Sequence, residues 1–263
     1  MTNLGNVMKL YERLNLKPNI WQTMHKIESV EIAKNIRPDA DSYDRAWKKF
    51  ELPDCLHLLS LAYYYSDEKE LTTEHANQCI SELEEFFFGE WRNRFETPEK
   101  KLDPGWWKRG FIWMQLFEAA VLWGSILGKW DFLKRVGEFP ELDSCISDGY
   151  RPVDRDLYVA WAAFLREASP NEIRPLLERV QSGKSRRCKL VLALLRAGLA
   201  RDVAEFEKAL ILWFKYYREE EFPKEKITKK ISIEGTFFVH WAEMKGLTIS
   251  VPEDFVDHIV RLK

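Results

Sequence analysis

The sequence predicts an all-α fold of stacked antiparallel helices around one central apolar helix, and three observations predict it. Apolar residues recur at helical spacing, no run alternates for long enough to make a sheet, and Pro, Gly and short polar caps punctuate the runs. At 263 residues, 46% hydrophobic and 31% charged with 12 glycines and 11 prolines, the chain is long enough to bury a substantial core and has the profile of a folded globular protein. Its 11 tryptophans fit core positions, because an indole buries a large apolar body while its N–H finds a partner.

In chain order, the N-terminal "MTNLGNVMKLYERLNLK" carries charges inside its apolar pattern and lacks a secretory apolar region with a small-residue cleavage site, so export is not expected. Pro53 in "WKKFELPDCLHLL" should end or kink a helix, as should Pro175 in "NEIRPLLERV". The charged "ETPEKKLDP" reads as a linker before the central helix, Asp103 to Gly128, for which Asp103 is a cap and Pro104 a first-turn proline. "GKWD", Gly128 to Asp131, and "GLARD", Gly198 to Asp202, read as tight junctions pairing a C-terminal glycine with an acidic N-cap. After Asp154, Leu157, Trp161, Phe164 and Leu165 trace an apolar stripe, as do Val203, Phe206, Leu210, Trp213, Phe214 and Tyr217 after Asp202. Ser169 with Glu172 and Asp202 with Glu205 have capping-box spacing. "FPKEKITKKIS" is a second linker candidate, "LTISV" a short extended piece, and Ser250 to Pro252 introduce a last helix, "EDFVDHIV". No fixed helical repeat is present. One all-α domain over 1–263 is expected, either undivided or with helical subdomains 1–100 and 101–263.

The central stretch raises the question of a membrane span. Nineteen residues between Arg109 and Lys129 carry one charge, Glu118, and eight of them are Leu, Ile, Val or Phe. At about −0.3 to −0.6 kcal/mol for each of these and roughly +2.5 to +3.5 kcal/mol for the central charge, insertion sums to near zero before Gln115, Ser125 and the glycines are counted against it. Gln115, Glu118 and Ser125 share one helix face with Lys108 and Lys129 at its ends, which describes a core helix with a narrow polar stripe.

The balance of 40 basic and 42 acidic residues creates no global field towards nucleic acid or an acidic membrane. Cys55, Cys79, Cys145 and Cys188 lack metal or disulfide spacing and read as free thiols in a reducing cytoplasm. No metal pair exists among His25, His57, His75, His240 and His258, no phosphate loop or nucleophile elbow is present, and no cofactor is expected. Asp254, Asp257 and His258 lie close enough on one helix to approach a cation, but a solvated helix face is the commoner outcome of that spacing. His240, flanked by apolar residues, reads as a satisfied core or interface histidine. A carboxylate in apolar surroundings such as Glu118 would suit a general acid. Its favoured alternative is a place on the polar stripe, reaching solvent or pairing with an Arg or Lys of a neighbouring helix. Of the charge runs, "KSRRCK" (Lys184 to Lys189) lacks the aromatics of single-strand binders. Glu82, Glu84 and Glu85, and Glu219, Glu220 and Glu221, would suit a basic partner if they are not simply solvated faces. With Glu118 they form the candidate partner-binding set.

The C-terminal stretch "EGTFFVHWAEMKGLTISVPEDFVDHIVRL" combines an apolar helix, a Lys-Gly stop, an extended link, a proline-started helix and a final Asp-x-Ile-Val. It resembles the ends of bacterial polymorphic-toxin immunity proteins, in particular the all-α family called immunity protein 49. "FEAAVLWGSILGKWDFL" is similar in kind to that family's small-residue-rich middle helix. Together these segments cover less than half the chain. The resemblance implies a cytosolic helical protein that binds and neutralises a cognate toxin domain, and it carries over no catalytic or invariant contact residues; with no catalytic set in the sequence, a non-catalytic binding protein is expected. The nearly balanced charge departs from the acidity of some nuclease inhibitors and leaves the toxin class open. Two other readings stand beside it: a solenoid-like adaptor binding a peptide or protein in a groove, and an enzyme using Glu118 or the Asp254, Asp257 and His258 cluster.

Overall fold

The computed structural model describes residues 42–65, 67–89, 96–97, 100–101, 110–139, 152–221 and 231–262. The N-terminal segment, Asp103, Pro104, Lys108, Cys145 and most of "FPKEKITKKIS" lie outside the described residues. The fold is all-α: the strand pairing among the described residues is one two-residue antiparallel ladder, β1 (Glu96–Thr97) with β2 (Lys100–Lys101), inside the segment expected to be a plain linker. The chain divides into two compact units, one built from residues up to Pro104 and the other from Gly105–Pro223 and Ile231–Arg261.

The first unit holds α1 (Ser42–Tyr65) packed on α2 (Lys69–Phe88). Cys55, Leu56, Leu59 and Ala62 face Ala76, Cys79, Leu83 and Phe86 in its core, all buried at helical spacing. Asp67 closes the turn in the left-handed region (φ 61°), with its N–H donating to the Tyr64 carbonyl at 3.1 Å and that of Glu68 to Tyr63 at 3.0 Å. Contrary to expectation, Pro53 does not end α1, which continues through it. The buried face of α1 lies on α2 there, and the Cys79 thiol donates to the Pro53 carbonyl at 3.3 Å, so tertiary contact supports the turn the proline weakens.

The second unit runs through α3 (Gly110–Ile126), α4 (Trp130–Gly137), α5 (Pro152–Leu165), α6 (Pro170–Ser182), α7 (Arg186–Ala200), α8 (Val203–Tyr216), a π-turn (Tyr217–Glu221), α9 (Ile233–Met244) and the short α10 (Glu253–Val256). Helices adjacent in sequence pack in succession from α3 to α9, while α3 also lies against α9 and α5 against α7, which folds the succession around a shared core. α3 is the central helix expected: Leu116, Phe117, Ala119 to Trp123 and Ser125 are buried, Gln115 is exposed and Glu118 half-buried, and its alanines and Gly124 let neighbours come close. Ser125 does not lie on a solvated stripe, because its hydroxyl bonds back to the Leu122 carbonyl at 2.9 Å, which satisfies it inside the core. No helix among the described residues is long and apolar enough to cross a membrane.

Helix ends follow local chemistry with instructive departures. Glu172 Oε2 accepts from the Ser169 N–H at 3.0 Å and from its hydroxyl at 2.7 Å, and Asp202 caps α8 by accepting from the Glu205 N–H at 3.1 Å. Gly128 takes the left-handed φ of 66° at the end of α3, but α4 begins after Lys129, which leaves Asp131 in the first turn near the positive helix end instead of at the cap. At the other junction the left-handed residue is Arg201 (φ 52°), because Gly198 is used elsewhere: a Cβ there would lie 3.1 Å from Trp241 and 3.2 Å from Phe164. Pro175 also fails to stop its helix. It lies on the exposed side of the helix, in the second turn, while the Ile173, Leu177 and Val180 side of the helix stays buried. "LTISV" forms no strand; its start is tied to α9 by the Leu247 N–H donating to the Ala242 carbonyl at 2.9 Å.

Candidate functional site

The most concentrated polar chemistry in the second unit is a four-helix junction at Arg187. Ser185 caps α7 by accepting from the Cys188 N–H at 3.3 Å, and this start sets the helical phase that turns Arg187 inward beside Val191 and Leu194. Its guanidinium donates to Glu234 Oε1 of α9 from Nη2 at 2.5 Å and from Nε at 3.0 Å. The same Nη2 reaches Glu118 Oε1 of α3 at 3.2 Å and the Tyr158 hydroxyl of α5 at 3.3 Å. Tyr158 donates its hydroxyl hydrogen to Glu118, and the Arg187 charge lies 5.8 Å from the Tyr158 ring centroid. The side chains of Arg187, Glu118 and Glu234 are 22%, 28% and 8% exposed, so the group borders the core without being sealed from water.

Two helix N-termini meet in this cluster, which explains its charge arrangement. Arg187 is in the first turn of α7, where the helix dipole opposes a cation, while Glu234 is in the first turn of α9, where it favours an anion. The carboxylates therefore offset both the guanidinium and two helix ends. Burial acts against the charge on Arg187, but Tyr158, Glu234 and Glu118 outweigh it and raise its pKa well above the usual range. Burial, joined by the charge and hydrogen bond of Glu118 and opposed by Arg187, pushes the Tyr158 hydroxyl well above the ordinary phenol value and holds it as a neutral donor.

Ser232 builds the neighbouring wall. Its hydroxyl accepts from the Gly235 N–H at 2.9 Å, capping α9, and from the Trp213 indole at 2.7 Å, while its own N–H donates to the His258 carbonyl at 2.9 Å. Tyr217, at the π-turn, donates to the Ile231 carbonyl at 2.6 Å and meets the His258 ring edge-on.

The structure separates the remaining sequence candidates. Glu118 is held by Arg187 and Tyr158 in the cluster, not presented on an open surface. Asp254 and Asp257 are exposed and His258 is buried; Asp254 lies 3.6 Å from Arg218, and the three do not converge. Among the described residues no group of three or more His, Cys, Asp or Glu side chains is placed to hold a metal ion. His240 Nε2 lies 2.9 Å from the Val260 carbonyl and Nδ1 lies 3.3 Å from Glu243. Glu82, Glu84 and Glu85 are half-buried on α2, and none lacks a partner. Glu219 and Glu220 are exposed on the π-turn, 3.3 and 3.6 Å from Arg186, whose guanidinium also lies 5.2 Å from the Tyr216 ring centroid. Glu221 closes that turn, and its side chain lies outside the described residues.

Arg187, Tyr158 and Glu234 are absent from the sequence candidates, although a signal exists for the first. Residues 187, 191, 194 and 198 share one helix face, and the last three are apolar or glycine, so the second arginine of "KSRRCK" falls in core phase while Arg186 faces outward. No protein-family model, curated protein or solved structure matches the chain.

Removing one partner of this cluster leaves charge uncompensated. Arg187→Met is expected to lower the unfolding free energy by about 3–5 kcal/mol in chemical denaturation. Combined with Glu234→Gln it should cost less than the sum of the single losses, by about 0.5–3 kcal/mol; strict additivity would show that the two groups do not interact. A pH series tests Tyr158. Its folded pKa is raised, so its contribution is fully present below the unfolded value near 10 and is lost as pH rises through the folded value. Wild type should lose stability with pH above about 10 more steeply than Tyr158→Phe, and parallel curves would contradict the assignment.

Proposed function

We propose that this protein is a non-catalytic protein-binding module and, in its most specific form, an immunity protein that binds and neutralises a cognate bacterial toxin domain in the cytoplasm. The observation that carries the binding reading is how the polar groups are distributed. Those at the Arg187 junction close on one another, whereas the outer faces keep their charges and leave Leu199, Leu212, Met244 and Val256 exposed at 38–46%. Exposed apolar side chains bordered by charges offer a protein partner contact area with a polar rim.

The toxin-directed form of the proposal draws its support from the C-terminal resemblance. That stretch forms α9, the Lys245–Gly246 stop, the extended link and α10, and it returns to the core through Ile259 and Val260. The segment thus combines a buried anchor with the outward-facing Met244 and Val256.

Co-expression with a toxin encoded beside it tests the proposal. The expected result is restored growth and a one-to-one complex on size-exclusion chromatography, with protection kept by Glu118→Gln because that side chain serves the fold and not a reaction. Failure of the folded wild-type protein to protect would contradict the toxin-directed reading. Loss of protection in a folded Glu118→Gln protein would contradict the non-catalytic one.

A further inference from the structure

The stretch from Pro170 to Arg201, comprising α6, α7 and the junction after them, holds eight Lys and Arg residues against two Glu, a formal +6 in a chain whose total is −2. The rest of the chain therefore carries −8. Arg187 spends its charge in the core and Arg179 lies 3.6 Å from Asp156 of α5, but most of the others remain on the surface.

On α7 the residues Arg186, Lys189, Ala193, Arg196 and Ala200 are all exposed and recur at helical spacing, so they make one outward stripe. At its first end Arg186 is partly neutralised by Glu219 and Glu220. Farther along, Arg196 donates to the Gln181 side chain of α6 at 2.6 Å. A neutral amide thus fixes that guanidinium at the α6–α7 seam without cancelling its charge. Among the described residues, Arg174, Lys184, Lys189 and Arg196 have no carboxylate partner, and all four are exposed. A folded chain of negative total charge thus concentrates unneutralised cations on one pair of helices.

We infer that the α6–α7 face docks an acidic segment of a partner protein, its carboxylates accepting from Arg174, Lys189 and Arg196. The inference rests on the protein-binding reading above for the class of partner and adds its chemistry. A planar guanidinium already positioned by Gln181 suits bidentate carboxylate recognition, and a concentrated basic face steers an acidic partner into register. Two observations favour protein over nucleic acid. Residues 170–201 contain no Phe, Tyr or Trp on which bases could stack. The charge of the rest of the chain is negative, which opposes a long polyanion extending past the face but is screened beyond about 8–10 Å for a short acidic segment.

Fluorescence anisotropy of a short labelled oligoglutamate peptide with the full-length protein tests this, with a duplex DNA of equal charge as competitor. The expected result is binding that weakens with salt and falls by about 10-fold or more in the triple variant Arg174→Glu, Lys189→Glu, Arg196→Glu. The charge-neutral triple Arg174→Gln, Lys189→Gln, Arg196→Gln serves if the reversed protein does not fold, and Lys208→Glu with Lys215→Glu on α8 should bind as wild type. Absence of peptide binding at low salt, an equal loss in the α8 variant, or tighter binding of the duplex would overturn the inference. Toxin protection distinguishes the two proposals. A wild type that fails to protect counts against the toxin-directed reading whatever the peptide does, whereas undiminished protection by a triple variant that no longer binds peptide removes this face and leaves that reading standing.

Discussion

Arg187 is shared by two carboxylates and a phenol from three other helices, and this shared charge constrains how the second unit assembles. α3, α5, α7 and α9 each contribute one member, so none of the four can shift along its axis without breaking a charge-assisted hydrogen bond. Such a cluster is not a large net source of stability, because desolvating three ionised groups consumes much of what their attraction returns. It acts through the alternatives it penalises: an arrangement that leaves Glu234 or Arg187 unpaired strands a charge at the edge of the core. Apolar surfaces tolerate sliding, and this junction supplies the directionality they lack.

Around that junction the core is aromatic to an unusual degree. Trp161 is fully buried, stacks on Phe238 at 5.8 Å with an interplanar angle of 7°, and meets Phe117 and Phe237 edge-on at 5.7 and 5.3 Å. Phe164 and Phe206 continue the group to Trp241. Each well-placed ring pair adds about 0.5–1.5 kcal/mol to the area it buries. Against this, the Trp161 indole N–H has no hydrogen-bond partner among the described residues, a cost on the order of 1–3 kcal/mol. The ring contacts are numerous enough to hold the side chain despite that cost. Where the backbones themselves meet, glycine is required: a Cβ on Gly137 would lie 2.5 Å from the Ala162 carbonyl oxygen, so α4 can close on α5 only with a hydrogen at that position.

Much of this fold is legible in the sequence because helical periodicity and capping are local. The Leu157-to-Leu165 and Val203-to-Tyr217 stripes, the Asp202 cap and the Ser169–Glu172 pair each lie within a single helix or at one of its ends. What escapes is set by contacts distant in the chain. Pro53 and Pro175 look like breaks because their cost is local, whereas the buried helix faces that hold both helices together across them come from the fold. Gly198 looks like a cap until Trp241 and Phe164 arrive beside it. A charged partner for Glu118 from another helix is foreseeable, but that it is Arg187, 69 residues away, is a fact of the fold. Asp254, Asp257 and His258 form a cluster only on an idealised helix, since α10 ends at Val256 after one turn and His258, in the turn beyond it, is buried.

The same division orders the charged groups: those near the core hold helices together, and those outside stay on the surface, some of them paired with one another. The central claim is that Arg187 couples four helices into one cooperative unit, and native-state amide hydrogen exchange on wild type and Arg187→Met tests it most directly. The account predicts that amides of α3, α5, α7 and α9 share one opening free energy in the wild type, and that protection falls in all four by a similar amount in the variant. Loss of protection confined to α7, with the other three unchanged, would contradict it.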